Sequence, residues 1–223
     1  MEAELAPHFG KACYRRAAHN FAYDGALQEE ALEKLDPGDP RRIRLVSSYA
    51  QLRNYQISTE CLLRQLYMWE PLGGFVRDIF GVQALYRSQC PHLALSLKIE
   101  EEGDIDNWHY DSNDGVISIL LRNADEGGDF EYAPYVRSEE DERYDRVAQV
   151  LADPETHAIR RHAGPGDFTL FNGRLSLHRI TPVGPTTTPR VVALLCWDQS
   201  PDQIHEQSYI DHLDSLPALS QVR

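Results

Sequence analysis

Leu93-Ala94-Leu95-Ser96-Leu97-Lys98-Ile99 and, beyond a polar stretch, Gly115-Val116-Ile117-Ser118-Ile119-Leu120-Leu121 are the segments that decide the fold. Both are short and apolar, and the second is rich in β-branched residues, as strands are. Residues 158–162, 167–171, 175–180 and 190–197 continue the pattern. They are separated by Gly164-Pro165-Gly166, Asn172-Gly173 and the Pro- and Thr-rich stretch 182–189, which punctuate a chain as turns do. Gly127-Gly128 marks another turn, before Asp129-Phe130-Glu131-Tyr132. Between the strands, residues 139–151 suit a short helix with Tyr144, Val147 and Leu151 on one face, ended by Asp153-Pro154.

Upstream the character is different. Residues 11–35 contain no proline and read as helix, which Asp36-Pro37-Gly38-Asp39-Pro40 breaks. A second helical stretch is expected over 41–69, where Leu45, Tyr49 and Leu52, then Thr59, Leu62, Leu66 and Trp69, recur at steps of three and four. Pro71, Gly73 and Gly74 close it, and a short apolar segment, 75–80, leads to Gly81. Helices first and many short strands later predict an α+β fold: a double-stranded β-helix, that is a jelly roll of the cupin-like kind, with N-terminal helices packed on it. The 223 residues suit a single domain, with a helical support region over about 1–84, a jelly-roll core over about 85–201 and a C-terminal tail at 202–223.

Composition narrows the function classes. Hydrophobic residues make up 42% and charged residues 26%, as in an ordinary soluble protein. No apolar run reaches the roughly 20 residues that span a bilayer. The acidic start, Met1-Glu2-Ala3-Glu4, is unlike the basic start of a secretory signal, so a cytoplasmic location is expected. A net charge of −13 argues against nucleic acid and anionic membranes as partners, and is compatible with a cationic or zwitterionic small molecule. Cys13, Cys61, Cys90 and Cys196 form no CxxC pair, and are read as free, buried thiols rather than as disulfides or a zinc site.

The chemistry centres on Asn107-Trp108-His109-Tyr110-Asp111. In an extended chain, residues two apart point to the same side, so His109 and Asp111 can face inward together. An imidazole and a carboxylate are two members of the two-histidine, one-carboxylate triad that holds Fe(II) on one face and leaves the other open. His178, on the strand-like segment 175–180, is the expected third ligand. Arg190 opens the last strand, and its planar fork suits the far carboxylate of a dicarboxylic co-substrate. His8, His19, His92, His157, His162, His205 and His212 lack a carboxylate in a shared motif and are read as polar residues near turns. Candidate substrate contacts are Trp197 as a pocket wall and Asp106 and Asp114 as partners for an ammonium group, each with a plainer reading as a core aromatic or a turn carboxylate. Arg122 and Arg174 are candidates for a substrate carboxylate, and 104–107 for an entrance loop.

From about Leu85 to Pro201 the chain resembles the BesD/HalD-like group of iron- and 2-oxoglutarate-dependent oxygenases, which includes free-amino-acid halogenases and hydroxylases. The resemblance rests on Trp108-His109-Tyr110-Asp111, on Glu126-Gly127-Gly128-Asp129-Phe130-Glu131-Tyr132, on Gly164-Pro165-Gly166-Asp167-Phe168-Thr169-Leu170-Phe171, and on Gly173 through Val183. It implies a double-stranded β-helix, Fe(II), 2-oxoglutarate and O2, with succinate and CO2 as co-products and no catalytic residue beyond the iron ligands. The halogenases of this group have a small residue in place of the carboxylate ligand, which frees a position for chloride. Asp111 is retained here, so hydroxylation is the expected outcome. Two alternatives stay open at this point: a cupin-type metal enzyme that does not use 2-oxoglutarate, and a non-catalytic jelly roll that binds a small ligand.

Overall fold

The structure is a computed structural model that describes residues 1–21, 29–203, 205 and 207–223. Eleven strands form two antiparallel sheets among these residues. The strands are β1 (Cys13–His19), β2 (Leu45–Leu52), β3 (Tyr86–Arg87), β4 (Leu95–Glu100), β5 (Asp106–His109), β6 (Gly115–Arg122), β7 (Phe130–Ala133), β8 (Ile159–Arg161), β9 (Phe168–Phe171), β10 (Leu177–Ile180) and β11 (Arg190–Asp198). The larger sheet runs β1-β2-β4-β11-β6-β9, with β3 paired to β11, and the smaller runs β5-β10-β7-β8. The helices are α1 (Glu2–Leu5), α2 (Glu29–Glu33), α3 (Leu62–Met68), α4 (Glu70–Phe80), α5 (Tyr144–Ala152), α6 (Pro154–His157) and α7 (Gln207–Asp214). None is long and apolar enough to cross a membrane.

Strand parity divides the larger sheet into two unlike faces. Leu95, Leu97 and Ile99 of β4 join Ile117 and Ile119 of β6 and Val191, Ala193 and Leu195 of β11 on the outer side. There they pack with Leu63 and Tyr67 of α3 and with Leu72 and Val76 of α4. Leu97 and Leu195 are fully buried, each contributing about 1.5–3 kcal/mol to stability by leaving water. The alternate residues, among them Ser96, Lys98, Ser118 and Arg190, line a cavity between the two sheets. The outer side of the smaller sheet has its own apolar cluster, in which Trp108, Tyr110 and Leu177 meet Val147 and Val150 of α5.

The jelly-roll expectation and the strands downstream of Leu85 agree with this architecture, but the first third is not simply helical. Residues 13–19 and 45–52 are strands, paired along seven successive positions from Cys13↔Gln51 to His19↔Leu45. Residues 22–28 of the expected first helix lie outside the described residues. The helix-like spacing of Leu45, Tyr49 and Leu52 arises because most of β2 is buried on both faces: Ala50 and Leu52 face the apolar cluster, while Ser47, Tyr49 and Gln51 face the cavity. Helix does follow over α3 and α4, yet Pro71 opens α4 rather than closing a helix. Proline at the first helical turn gives up an N–H that would have no partner there in any case. Gly81, at φ 65, ends α4 in a left-handed conformation that glycine adopts without strain. The C-terminal segment docks back on β1, with Tyr14 N–H donating to Pro217 O at 2.8 Å and Leu219 N–H to Ala12 O at 2.6 Å.

Candidate metal centre

His109 ends β5 and His178 sits in β10, and the two are direct partners across the smaller sheet. Their ring centroids are 4.2 Å apart. A register shift between His178 and Ile180 bends this pairing, so Asp106 and His109, three apart, both line the cavity. A regular strand would send them to opposite faces. Asp111 follows just beyond β5, where its backbone N–H donates to Gly173 O at 3.0 Å. Its Oδ1 lies 3.5 Å from His178 Nε2 and 3.9 Å from His109 Nε2. One ligand atom from each of the three residues falls within 4.8 Å of the others.

The hydrogen bonds behind the rings fix which nitrogen faces the gap. Nδ1 of His109 donates to Asn107 O at 2.6 Å, and Nδ1 of His178 donates to Ser176 O at 2.9 Å. A carbonyl only accepts, so each Nδ1 carries a proton and Nε2 is the nitrogen that each ring turns toward Asp111. Burial lowers the His109 pKa to about 4, against the pull of Asp106, and keeps that ring neutral. Burial also works against charge on His178 and Asp111. Each is the other's counter-charge, however, so the His178 pKa is raised and that of Asp111 lowered. Asp111 Oδ2 is buried and has no hydrogen-bonding partner, an unsatisfied anionic oxygen that a cation fits. Two imidazole Nε2 atoms and a carboxylate with one unsatisfied oxygen make a donor set suited to a divalent metal.

Gly173 makes room for this carboxylate. A Cβ there would stand 2.6 Å from Asp111 Cγ and 2.9 Å from Phe171 Cε2. Gly173→Ala is therefore expected to displace Asp111 and to weaken metal binding by about 10- to 100-fold, as losing a group that orients a ligand does. Metal content after dialysis against a weak chelator, with the melting temperature as a folding control, measures it.

A cavity of about 140 Å³ adjoins the three residues. Lys98, from β4, bonds to Asp106 and lies 4.4 Å above the Tyr49 ring. Burial opposes charge on both partners, yet their mutual attraction wins, raising the Lys98 pKa and lowering that of Asp106. Arg190 also lines the cavity, paired with the fully buried Glu100 opposite it on β4. Gly128, at φ 67, lets the chain pass close to Arg190, since a Cβ there would stand 2.7 Å from Arg190 Cδ.

The sequence therefore brings His109, Asp111, His178, Asp106 and Arg190 to one cavity. Four other candidates, Trp197, Asp114, Arg174 and Arg122, lie elsewhere. Trp197 is a core aromatic on the outer face of β11, its ring 5.2 Å from Tyr67. Asp114 receives Gln199 N–H at 2.7 Å and pairs with Arg174 at 3.3 Å, which makes it a loop tie, and Arg174 is turned to it. Arg122 donates to Pro189 O and pairs with Glu2. Nor is 104–107 an entrance loop: Asp106 and Asn107 belong to β5, and Asp104 is buried beneath Arg223. Sequence reading missed Lys98, which lines the cavity, Glu100, which is buried against Arg190, and Gly173, which abuts Asp111. For the first two the signal was present, because Ser96, Lys98 and Glu100 alternate with Leu95, Leu97 and Ile99.

A family model described as halogenase D matches residues 28–215. The chain belongs to the halogenase D family. No curated protein matches this family member in sequence. Among solved structures it is similar to an oxidoreductase of the 2OG-Fe(II) oxygenase family from Burkholderia pseudomallei, at 12% identity and a TM-score of 0.53, over 89% of this chain and 78% of that one. It is also similar to the non-heme alpha-ketoglutarate-dependent epimerase SnoN from nogalamycin biosynthesis, at 14% identity and a TM-score of 0.50, over 96% of this chain and 89% of that one. In fold, this halogenase D member is similar to both of these proteins.

Proposed function

We propose that the chain holds one Fe(II) through His109, Asp111 and His178, binds 2-oxoglutarate against Arg190, and oxidises a C–H bond of a small zwitterionic molecule such as a free amino acid. The observation that carries this reading is the pair of Nδ1 hydrogen bonds, which lock both imidazoles with Nε2 toward the Asp111 carboxylate. When bound, iron would activate O2, the oxidant, and 2-oxoglutarate would supply two of the electrons that reduce it, leaving as succinate and CO2.

The chain's own part is to bind, orient and shield. Asn107 and Ser176, through their carbonyls, hold the two rings in one tautomer. Asp111 brings a negative charge beside two neutral imidazoles and so lowers the charge of a bound dication. Arg190 offers guanidinium donors to the far carboxylate of the co-substrate. Phe171, Val116, Leu120 and Val192 give the cavity apolar walls that limit water. Asp106 is the remaining candidate for a substrate ammonium group, and Lys98 sets its orientation and moderates its charge.

Asp111 also governs the outcome. Its carboxylate would hold the metal where a halide would otherwise bind, and being tethered and anionic it would resist displacement by chloride. Incubation with Fe(II), 2-oxoglutarate, O2 and excess chloride is expected to give succinate and an amino-acid product heavier by one oxygen or lighter by two hydrogens. A mass-spectrometric screen of free amino acids, cationic ones first, reads the result. A chlorinated main product would overturn the oxidation reading, and turnover without succinate would overturn the use of 2-oxoglutarate.

A further inference from the structure

Arg190 does not wait alone for an anion. Its Nη1 donates to Glu100 Oε2, and the two residues are register partners on β11 and β4. Glu100 is fully buried and Arg190 is 5% exposed. Glu100 Oε1 and Arg190 Nε are both buried without a hydrogen-bonding partner. Three charged groups act on Glu100: Arg190 from β11, Asp106 from β5 and Lys98 from its own strand. Lys98 is itself committed to Asp106. The two cations and two carboxylates of this cluster therefore cancel before any co-substrate enters.

A second carboxylate seated on Arg190 would leave the cluster with one uncompensated negative charge in a buried place. Two carboxylates that share one buried cation do not both stay ionised, because the cost of removing charge from water exceeds what a single cation returns. A proton is the smallest group that restores the balance. It must come from solvent and settle on the carboxylate with the least hydrogen-bond support. Glu100, with one oxygen unpartnered, answers to that description. We propose that Glu100 takes up one proton from solution when the far carboxylate of 2-oxoglutarate seats against Arg190, which makes it the residue that sets the charge balance of the co-substrate subsite. Burial already pushes the Glu100 carboxyl above the usual range, in spite of Arg190. The inference rests on the reading of Arg190 given under Proposed function.

Calorimetric titration of the manganese(II)-loaded protein with 2-oxoglutarate, without O2, tests it. The titration is run in HEPES and in Tris, whose ionisation heats differ, at several values between about pH 6 and 9. The wild-type chain is expected to take up close to one proton in part of that range, and its affinity to fall there by about tenfold per pH unit. Glu100→Gln, which keeps the shape and a neutral group, is expected to bind without proton uptake and with a flat pH profile. Zero uptake and a flat profile in the wild type would overturn the proposal, a measurement that needs no variant to fold. So would uptake that persists unchanged in Glu100→Gln. If Arg190→Ala binds 2-oxoglutarate as tightly as the wild type, the failure lies instead with the assignment of Arg190.

Discussion

Replacing His178 with alanine is expected to lower Fe(II) affinity by more than about a hundredfold and to abolish turnover. Losing a group that only orients a ligand costs about 10- to 100-fold, and this change removes the ligand. His178 is 4% exposed and already forms the nearer ion pair with Asp111. Its loss would leave that carboxylate buried with one weaker partner, His109 at 3.9 Å. The ring also packs against Phe171 and Phe130, with centroids 4.9 and 5.9 Å away, so alanine leaves a hole and some stability goes with it. Metal content, metal affinity and melting temperature measured together separate the two effects. A variant that retained full metal loading and full turnover would move the site elsewhere.

Arg190→Ala is expected to weaken 2-oxoglutarate binding by about 2–5 kcal/mol, or roughly 30- to several-thousand-fold. Two losses add up there. The co-substrate loses its charged donor, and Glu100 loses the cation it bonds to, keeping only Lys98, which is itself committed to Asp106. The apparent affinity for 2-oxoglutarate, from succinate formation or from anaerobic titration, gives the number. An unchanged affinity would refute the assignment. Arg190→Lys is a useful companion, because an ammonium keeps the charge but cannot offer two parallel donors.

The clustering of His109, Asp111 and His178 was legible because its signal is local and its period is short. His109 and Asp111 are two apart, and His178 lies in a segment bounded by turns. Their convergence needed only that β5 and β10 be neighbours, which a jelly roll provides. The first third was not legible because β2 is buried on both faces, so no alternation remained to separate strand from helix. Trp197 was open to a better reading. With Arg190 facing the cavity, a residue seven positions along the same strand faces the other way. Lys98 and Glu100 were passed over because a charged residue within an apolar strand has meaning only once the inner face is known. Asp106 could not have been placed by parity at all, since the irregular pairing of β5 with β10 changes its side.

The division of the larger sheet into an apolar outer face and a polar inner face has a consequence for how such a chain can change over evolutionary time. Along β4, β6 and β11, positions that hold the protein together and positions that face the cavity alternate one by one. A substitution at Ser96, Ser118 or Val192 alters the shape or polarity of the cavity without touching the contacts of Leu97, Ile119 or Ala193 with the rest of the apolar cluster. New chemistry at the inner positions and durability at the outer ones are thus under nearly independent selection, although they are interleaved in the same few residues of sequence. A lineage built on this scaffold can drift from one small molecule to another by steps that each leave the fold intact.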